Sequence, residues 1–337
     1  MTTHNPSEGR SWRRILADYQ RPSHARSILE IVLSAAPLAA IWTAAWIAAV
    51  FGLWWLALLL AVPAAGFLVR LFMVQHDCSH QSFFASPAAN DWTGRLIGVL
   101  TLTPYHCWRR SHAIHHATSG DLDRRGIGDI ATLTVDEYRA LPLWRRIGYR
   151  LYRNPLVLFG IGPAWVFVIG QRLPLGLMTE GWRPWLSAMG TNLAIAAVIA
   201  PVLLLGGWKG LLLVHLPTLL LAASIGVWLF YVQHQFEDGY WARRGEWDHV
   251  EAALHGSSHY DLPQPLRWMT ANIGVHHVHH VASRIPYYRL PRVLKDHPEL
   301  REVSRVGLLE SFRTVSLALW DEGGRRLISF RQLRRGR

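Results

Sequence analysis

The stretch Ile31–Val69, IVLSAAPLAAIWTAAWIAAVFGLWWLALLLAVPAAGFLV, runs for 39 residues without an Asp, Glu, Lys or Arg. At 1.5 Å per residue a helix of that length covers about 58 Å, roughly two crossings of a 30 Å hydrocarbon core. Phe51-Gly52 marks a tight turn between two such helices. Two further uncharged stretches, Pro184–Trp208 and Gly210–Phe236, flank Lys209 and read as a second hairpin turning at Gly206-Gly207-Trp208-Lys209. Core helices of water-soluble proteins rarely go so far without a charge. The expectation is a single-domain, all-α membrane protein with four transmembrane helices in two hairpins, at about residues 29–50, 53–75, 185–206 and 210–233. A cytoplasmic helical cap is formed by residues 76–183 and 234–337. A shorter uncharged segment, Asn154–Gln171, is broken by Pro155, Gly160, Gly162 and Pro163. It reads as interfacial or re-entrant, because a crossing there would separate the His-rich segments on its two sides.

Composition and charge agree. Of 337 residues, 50% are hydrophobic and 17% charged, with 35 Lys+Arg against 23 Asp+Glu and a net charge of +12. Charged residues average about 25% in soluble domains. The chain is too apolar for disorder, two cysteines make no disulfide framework, and so apolar a chain is a poor nucleic-acid binder despite its basic charge. Five Arg lie in residues 1–27, twelve in 76–183 and sixteen Lys or Arg in 233–337, whereas the hairpin turns hold one Lys. The positive-inside rule places both termini and the long loop in the cytoplasm, with Arg10 to Arg26 and Arg70 near the helix ends. The polar N-terminus followed by a long apolar run gives no sign of a cleavable signal peptide.

Ten of the 18 histidines fall in four places: His76-Asp77-Cys78-Ser79-His80, His112-Ala113-Ile114-His115-His116, His234, and His276-His277-Val278-His279-His280. Residues i, i+3 and i+4 share a helix face, so each box offers convergent imidazoles, the commonest metal-binding side chain. His76 and His234 close spanning helices on the cytoplasmic side, where the other two boxes also lie. Eight or nine imidazoles exceed the three or four that zinc takes and suit two metals; iron is the expected pair. A carboxylate-rich di-iron bundle needs two Glu-x-x-His motifs, and only Glu246–His249 is present. His255 and His259 lie outside the boxes, and His4, His24 and His297 read as surface residues.

Longer phrases surround the boxes: HDCSHQSFF from His76, TPYHCWRRSHAIHHATSGDLDRRGIGDI from Thr103, TVDEY from Thr134, RLYRNP from Arg150, FYVQHQFED from Phe230, and GSSHYDLPQPLRWMTANIGVHHVHHVASRIPYYRL from Gly256. In these the chain resembles the membrane fatty acid desaturase family, closest to bacterial acyl-lipid desaturases related to the delta-12 type. The resemblance implies a non-haem di-iron centre, with O2 as co-substrate and a cis double bond introduced into a fatty acyl chain, lipid-linked in this branch. It implies an integral protein of the bacterial inner membrane. Carried over by motif, the ligands are His76, His80, His112, His115, His116, His234, His276, His279 and His280. His277 is left out, because related desaturases need no His there.

Removing hydrogen from unactivated methylenes takes a metal–oxygen oxidant and exact placement of the chain. Asp77, Asp121, Asp123 and Asp129 are candidates for orienting the imidazoles, and Asn272 for bonding a ligand or water. Trp108, Trp228, Phe230 and Tyr231 are candidates for lining the acyl tunnel. No electron-carrier domain is recognisable, so electrons come from an external donor such as a ferredoxin, steered by the basic face. Rival readings are a related membrane di-iron hydroxylase or ketolase of lipids or carotenoids and, from a different class, a His-rich metal transporter. Transporters place ionisable groups near the bilayer midplane, and the uncharged stretches here do not.

Overall fold

A computed structural model describes residues 12–335; His4 and Arg10 lie outside the described residues. The helices that position the site are α1 (His24–Val50), α2 (Trp54–Ser79), α3 (Pro87–Leu100), α4 (Tyr105–Thr118), α5 (Leu143–Tyr152), α6 (Trp182–Leu204), α7 (Trp208–His234) and α8 (His276–Val281). Four of them, α1, α2, α6 and α7, are long and apolar enough to cross a membrane. They overlap the expected spans, with ends that differ by up to five residues.

Ser23 caps α1 by accepting from the Arg26 N–H, an oxygen supplied to one of the helix's orphan donors. The helix stops where expected: Gly52 takes φ 77°, a conformation that favours glycine. Leu53 N–H then bonds back to the Ala48 carbonyl at 2.8 Å. Small residues let the helices approach closely, and Ala45, Ala48 and Ala49 of α1 bury against Ala57 of α2 and Val214 of α7. Trp46 lies flat against Gly210, where an added Cβ would come 2.5 Å from the indole. The hairpin also brings together the two residues that bound the uncharged stretch. Glu30 and Arg70, each 1% exposed, form a buried ion pair.

The second pair is built differently. The helices α6 and α7 are joined by a short turn at Leu205–Gly207, yet α6 packs chiefly on α3 and α4 and α7 on α2. The pair is consecutive in the chain but splayed in space. Along α6 only Pro184 and Ala188 are buried, and Leu193 and Leu204 are 73% and 87% exposed. An apolar surface of that extent matches acyl chains rather than water.

After α5 the chain bends by 61° into Val157–Arg172, which contains two widened turns. Pro155 and Pro163 remove backbone donors and force this irregularity. Phe159 of the segment packs edge-on against Trp228 and Tyr231 of α7. The helix α5 itself exposes Leu143, Trp144, Ile147 and Leu151 among Arg145, Arg146 and Arg150, the make-up of a helix lying in a membrane interface.

The protein is mostly helical, as the sequence indicates, and the cap adds two small sheets. The strands β1 (Leu133–Thr134), β4 (Leu317–Asp321) and β5 (Arg326–Ser329) form one; β2 (His259–Asp261) and β3 (Arg305–Gly307) pair in parallel as the other. Strands of two to five residues are too short to show alternation in sequence. Leu319, Ile328, Val135, Tyr138 and Tyr149 make a satellite core under the first sheet.

Candidate metal centre

The last turn of α2 presents His76, with His80 as its C-cap; α4 presents His112, His115 and His116; α7 ends on His234; and α8 presents His276, His279 and His280. These nine side chains converge into two groups. One contains His76, His80, His112, His116 and His279, the other His115, His234, His276 and His280, with the donor atoms of each group all within 4.8 Å of one another.

The partition follows a reciprocal rule. On α4 the i, i+4 pair His112/His116 enters the five-histidine group and His115 enters the other. On α8 the i, i+4 pair His276/His280 enters the four-histidine group and His279 enters the other. Residues i and i+4 differ by only about 40° around a helix, whereas i+3 and i+4 differ by about 100°. Each five-residue box therefore stitches the two groups together.

Within the groups the imidazoles present Nε2 atoms to each other. His112 and His116 are 3.1 Å apart, His116 and His279 3.2 Å, His115 and His234 3.1 Å, His234 and His276 3.0 Å, and His276 and His280 3.1 Å. Two nitrogens bound at about 2.1 Å to one metal and about 90° apart lie about 3.0 Å from each other. The spacing fits shared ions. Two more nitrogens, His76 Nε2 and His80 Nε2, are buried with no hydrogen-bond partner, a costly arrangement unless a ligand occupies the lone pair. Burial first, and neighbouring imidazoles second, hold His112, His116, His276, His279 and His280 well below the ordinary histidine pKa. The rings are neutral at physiological pH, the form that binds metal.

One carboxylate orients a ring in each group. His76 Nδ1 donates to Asp77 Oδ1 at 3.0 Å, and His115 Nδ1 to Asp129 Oδ1 at 2.5 Å. His234 Nδ1 donates to the Gly256 carbonyl at 3.3 Å. Each bond fixes the tautomer that leaves Nε2 free.

The other two aspartates are employed elsewhere. Asp121 is buried but accepts from Arg124 and from the Asp123 N–H; Asp123 binds Arg243 and the Arg244 N–H near the surface. They shape the loop after α4 rather than orient an imidazole. Asn272 takes φ 57°, a left-handed conformation that asparagine tolerates, and its carbonyl accepts from Val275 N–H ahead of α8. It sets the turn into the third box, and its side chain bonds none of the nine rings.

Of the aromatic residues, Trp108 stacks on His112 at 4.4 Å between centroids, and Phe230 lies 5.0 Å from both His115 and His234. Phe230 also borders a small cavity with Asp129, Ile130 and His234. Tyr231 points the other way, its hydroxyl donating to the Thr314 and Leu317 carbonyls at 2.8 and 2.9 Å. Trp228 donates to the Tyr260 hydroxyl and packs on Phe312. One turn of α7 thus divides between the histidine groups and the cap.

His277 stands outside both groups, its Nε2 donating to the Leu300 carbonyl at 2.8 Å, and its burial lowers its pKa to about 3. His259 is tied to the Arg301 carbonyl, and His249 lies against Arg13. Cys78 and Cys107 are free thiols. Sequence reading passed over three participants: the Gly256 carbonyl, Tyr287, whose N–H donates to Asp77 Oδ2 at 2.7 Å, and Arg153, buried without a carboxylate partner. Arg153 donates to Gln235 Oε1 and to the Ala131 and Leu317 carbonyls. Only the phrases RLYRNP and IPYYRL carried any signal of the last two.

Four apolar helices, two of which end at buried polyhistidine groups completed by α4 and α8, define a membrane-associated protein equipped to hold metal ions. The fatty acid desaturase family model matches residues 53–309. A fatty acid desaturase of Bacillus subtilis is 43% identical over 319 residues, covering 95% of this chain and 90% of that protein. An sn-1 acyl-lipid omega-3 desaturase (ferredoxin) of Synechocystis is 32% identical over 66% of this chain and 62% of its own length, and one of Nostoc is 29% identical over 74% and 69%. The chain belongs to the fatty acid desaturase family and is an oxidoreductase of that class.

Proposed function

We propose that this protein is an O2-dependent desaturase that introduces a cis double bond into a lipid-linked fatty acyl chain, using two irons held by the nine histidines and electrons from a ferredoxin-type donor. The observation that carries this reading is the convergence of nine imidazoles from four segments into two groups spaced for metal ions. The names of the cyanobacterial relatives favour a lipid-bound substrate and a ferredoxin donor.

Bound there, the irons would supply, with O2, two electrons and two protons, the oxidant that takes one hydrogen from each of two adjacent methylenes, both oxygen atoms leaving as water. The protein's own groups supply placement. Asp77 and Asp129 hold one ring of each group in the tautomer that exposes Nε2. Trp108 and Phe230, packed on His112 and His115, are apolar surfaces against which a methylene segment can lie beside the metals. Tyr231 and Trp228 brace α7 against the cap instead.

The topology follows from the same site. His76 and His234 end α2 and α7, so a single face of the membrane carries all nine rings. The distribution of positive charge makes that face, with both termini, cytoplasmic in a bacterial inner membrane. The segment Val157–Arg172 then dips into the membrane and returns, keeping the boxes on one side. A metal transporter would need unpaired ionisable groups lining a path at mid-span; Glu30 and Arg70 lie in the halves of their helices nearer the histidines and neutralise each other.

The test is expression in a host rich in saturated and monounsaturated lipids, followed by double-bond mapping of fatty acid methyl esters. New double bonds are expected. A hydroxy or keto product would transfer the protein to the hydroxylase and ketolase branch, and metal uptake with unaltered lipids would overturn the desaturase reading.

A further inference from the structure

Four residues behind the five-histidine group connect to its His76 through a chain of hydrogen bonds and an ion pair in an otherwise apolar interior. Glu30, Arg70, Asp77 and Tyr287 are each 1% exposed and His76 is 4% exposed. They come from α1, from α2 and from the turn after α8. Arg70 pairs with Glu30, donates to the Trp268 carbonyl, and lies 4.0 Å from the Trp268 ring centroid. The Tyr287 hydroxyl donates to Glu30 Oε2 at 3.1 Å. The Tyr287 N–H donates to Asp77 Oδ2 at 2.7 Å, and Asp77 Oδ1 accepts from His76 Nδ1 at 3.0 Å. The other Glu30 oxygen accepts from Arg26 Nε at 2.9 Å.

Two physical points constrain what this path does. A buried ion pair is poor value as a stabiliser, because desolvation offsets its attraction and an apolar replacement is often neutral or better. Nor does the path relay protons, since its link between Glu30 and Asp77 runs through the hydroxyl and then the backbone N–H of Tyr287, two groups that share no exchangeable proton. It does fix positions. Tyr287 is held at its hydroxyl by α1 and at its amide by α2, and Asp77 is left with a single oxygen aimed at His76.

We propose that Glu30, Arg70 and Tyr287 are positioning residues for the five-histidine group, acting through Asp77 to hold the His76 ring in the pose that binds metal. This rests on the metal reading above. The four-histidine group has its own anchors, Asp129 on His115 and the Gly256 carbonyl on His234, so the effect belongs to one metal of the two.

The experiment measures iron per chain across an iron titration, with 57Fe Mössbauer spectra, on the purified full chain and on Glu30→Gln, Arg70→Met, Tyr287→Phe and the double variant Glu30→Leu/Arg70→Met. Asp77→Asn and Asp129→Asn identify which spectral component belongs to which group. Glu30→Gln and Arg70→Met should each weaken one iron by about 10–100-fold, the component lost in Asp77→Asn, while the component lost in Asp129→Asn persists. Tyr287→Phe should give a smaller shift in the same component. The double variant leaves no unpaired buried charge, so its thermal midpoint should recover while the iron does not. It also serves as the decisive variant if the single substitutions do not fold. Parallel loss of both components, or recovery of iron together with stability in the double variant, would mean that the pair only holds the fold, and would overturn the proposal. A wild-type chain that binds no iron pair would refute the metal reading itself and this inference with it, a result distinct from either of those.

Discussion

The two histidine groups sit side by side and share two helices, but they are supported by opposite means. Behind the five-histidine group stands the first hairpin, with a buried acid–base pair and Tyr287 backing Asp77. Behind the four-histidine group stands the cap. Asp129 comes from the loop after α4, and the backbone carbonyl of Gly256 holds His234. The nearby cation, Arg153, is satisfied by neutral acceptors on Gln235, Ala131 and Leu317. One group is braced by the first pair of apolar helices and the other by the sheet-bearing cap. The comparison teaches that equal ligand chemistry does not require equal scaffolding: one Nδ1 acceptor serves the five-histidine group and two, a carboxylate and a backbone carbonyl, serve the other.

The largest break in that comparison should come from His115→Ala, which removes both a ligand of the four-histidine group and the ring that Asp129 holds. Desaturation should fall to background and iron to one per chain; full activity with two irons retained would refute the ligand assignment. Next, Asp129→Asn should weaken the iron of the four-histidine group by about 10–100-fold, read by iron titration, while the other site titrates normally. Arg153→Met removes charge-assisted bonds to Gln235 Oε1 and to the Ala131 and Leu317 carbonyls, acceptors that keep Thr132, Tyr149 and Tyr231 as second donors, and a bond to a charged group is worth about 1.5–3 kcal/mol. Its thermal midpoint should drop, and protease accessibility should rise first around β4.

A pH effect is expected from His277. Its pKa in the fold is about 3 against 6.5 for the free side chain, burial being the main cause and His259 the second. The folded protein therefore binds fewer protons than the unfolded one. His277 contributes full stability above 6.5 and loses it as pH falls from there towards 3, by up to about 1.4 kcal/mol per pH unit. Denaturant midpoints of the metal-free protein across that range check this, and a flat profile would refute it. The smallest effect belongs to Asp123→Asn. Its solvent-exposed pairing with Arg243 is screened by water and contributes little, so neither thermal midpoint nor iron content should change.

Much of this site was legible in the sequence. The four spans could be read because a 39-residue run without charge has few structural meanings. The nine histidines could be singled out because i, i+3 and i+4 are neighbours on any helix. Asp77 was legible as a neighbour of His76, and Asp129 only as one of three acids in a loop. Asp121 and Asp123 occur in the same phrase and look alike as letters, yet Arg124 and Arg243 claim them, and nothing local distinguishes an acid facing a guanidinium from one facing an imidazole. Likewise Phe230 and Tyr231 are adjacent residues of one helix, about 100° apart, and which of the two faces the histidines depends on what packs around α7.

The sequence by itself determined the class of solvent, the number of long apolar helices and the identity of the converging rings, because these depend on composition and on the period of a helix. Only the tertiary structure decided how nine rings divide into five and four, which acids serve them, that α6 and α7 part company after their turn, and that Glu30 meets Arg70 across the first hairpin. Those outcomes depend on the relative height and rotation of helices far apart in the chain, which packing sets and no local pattern records.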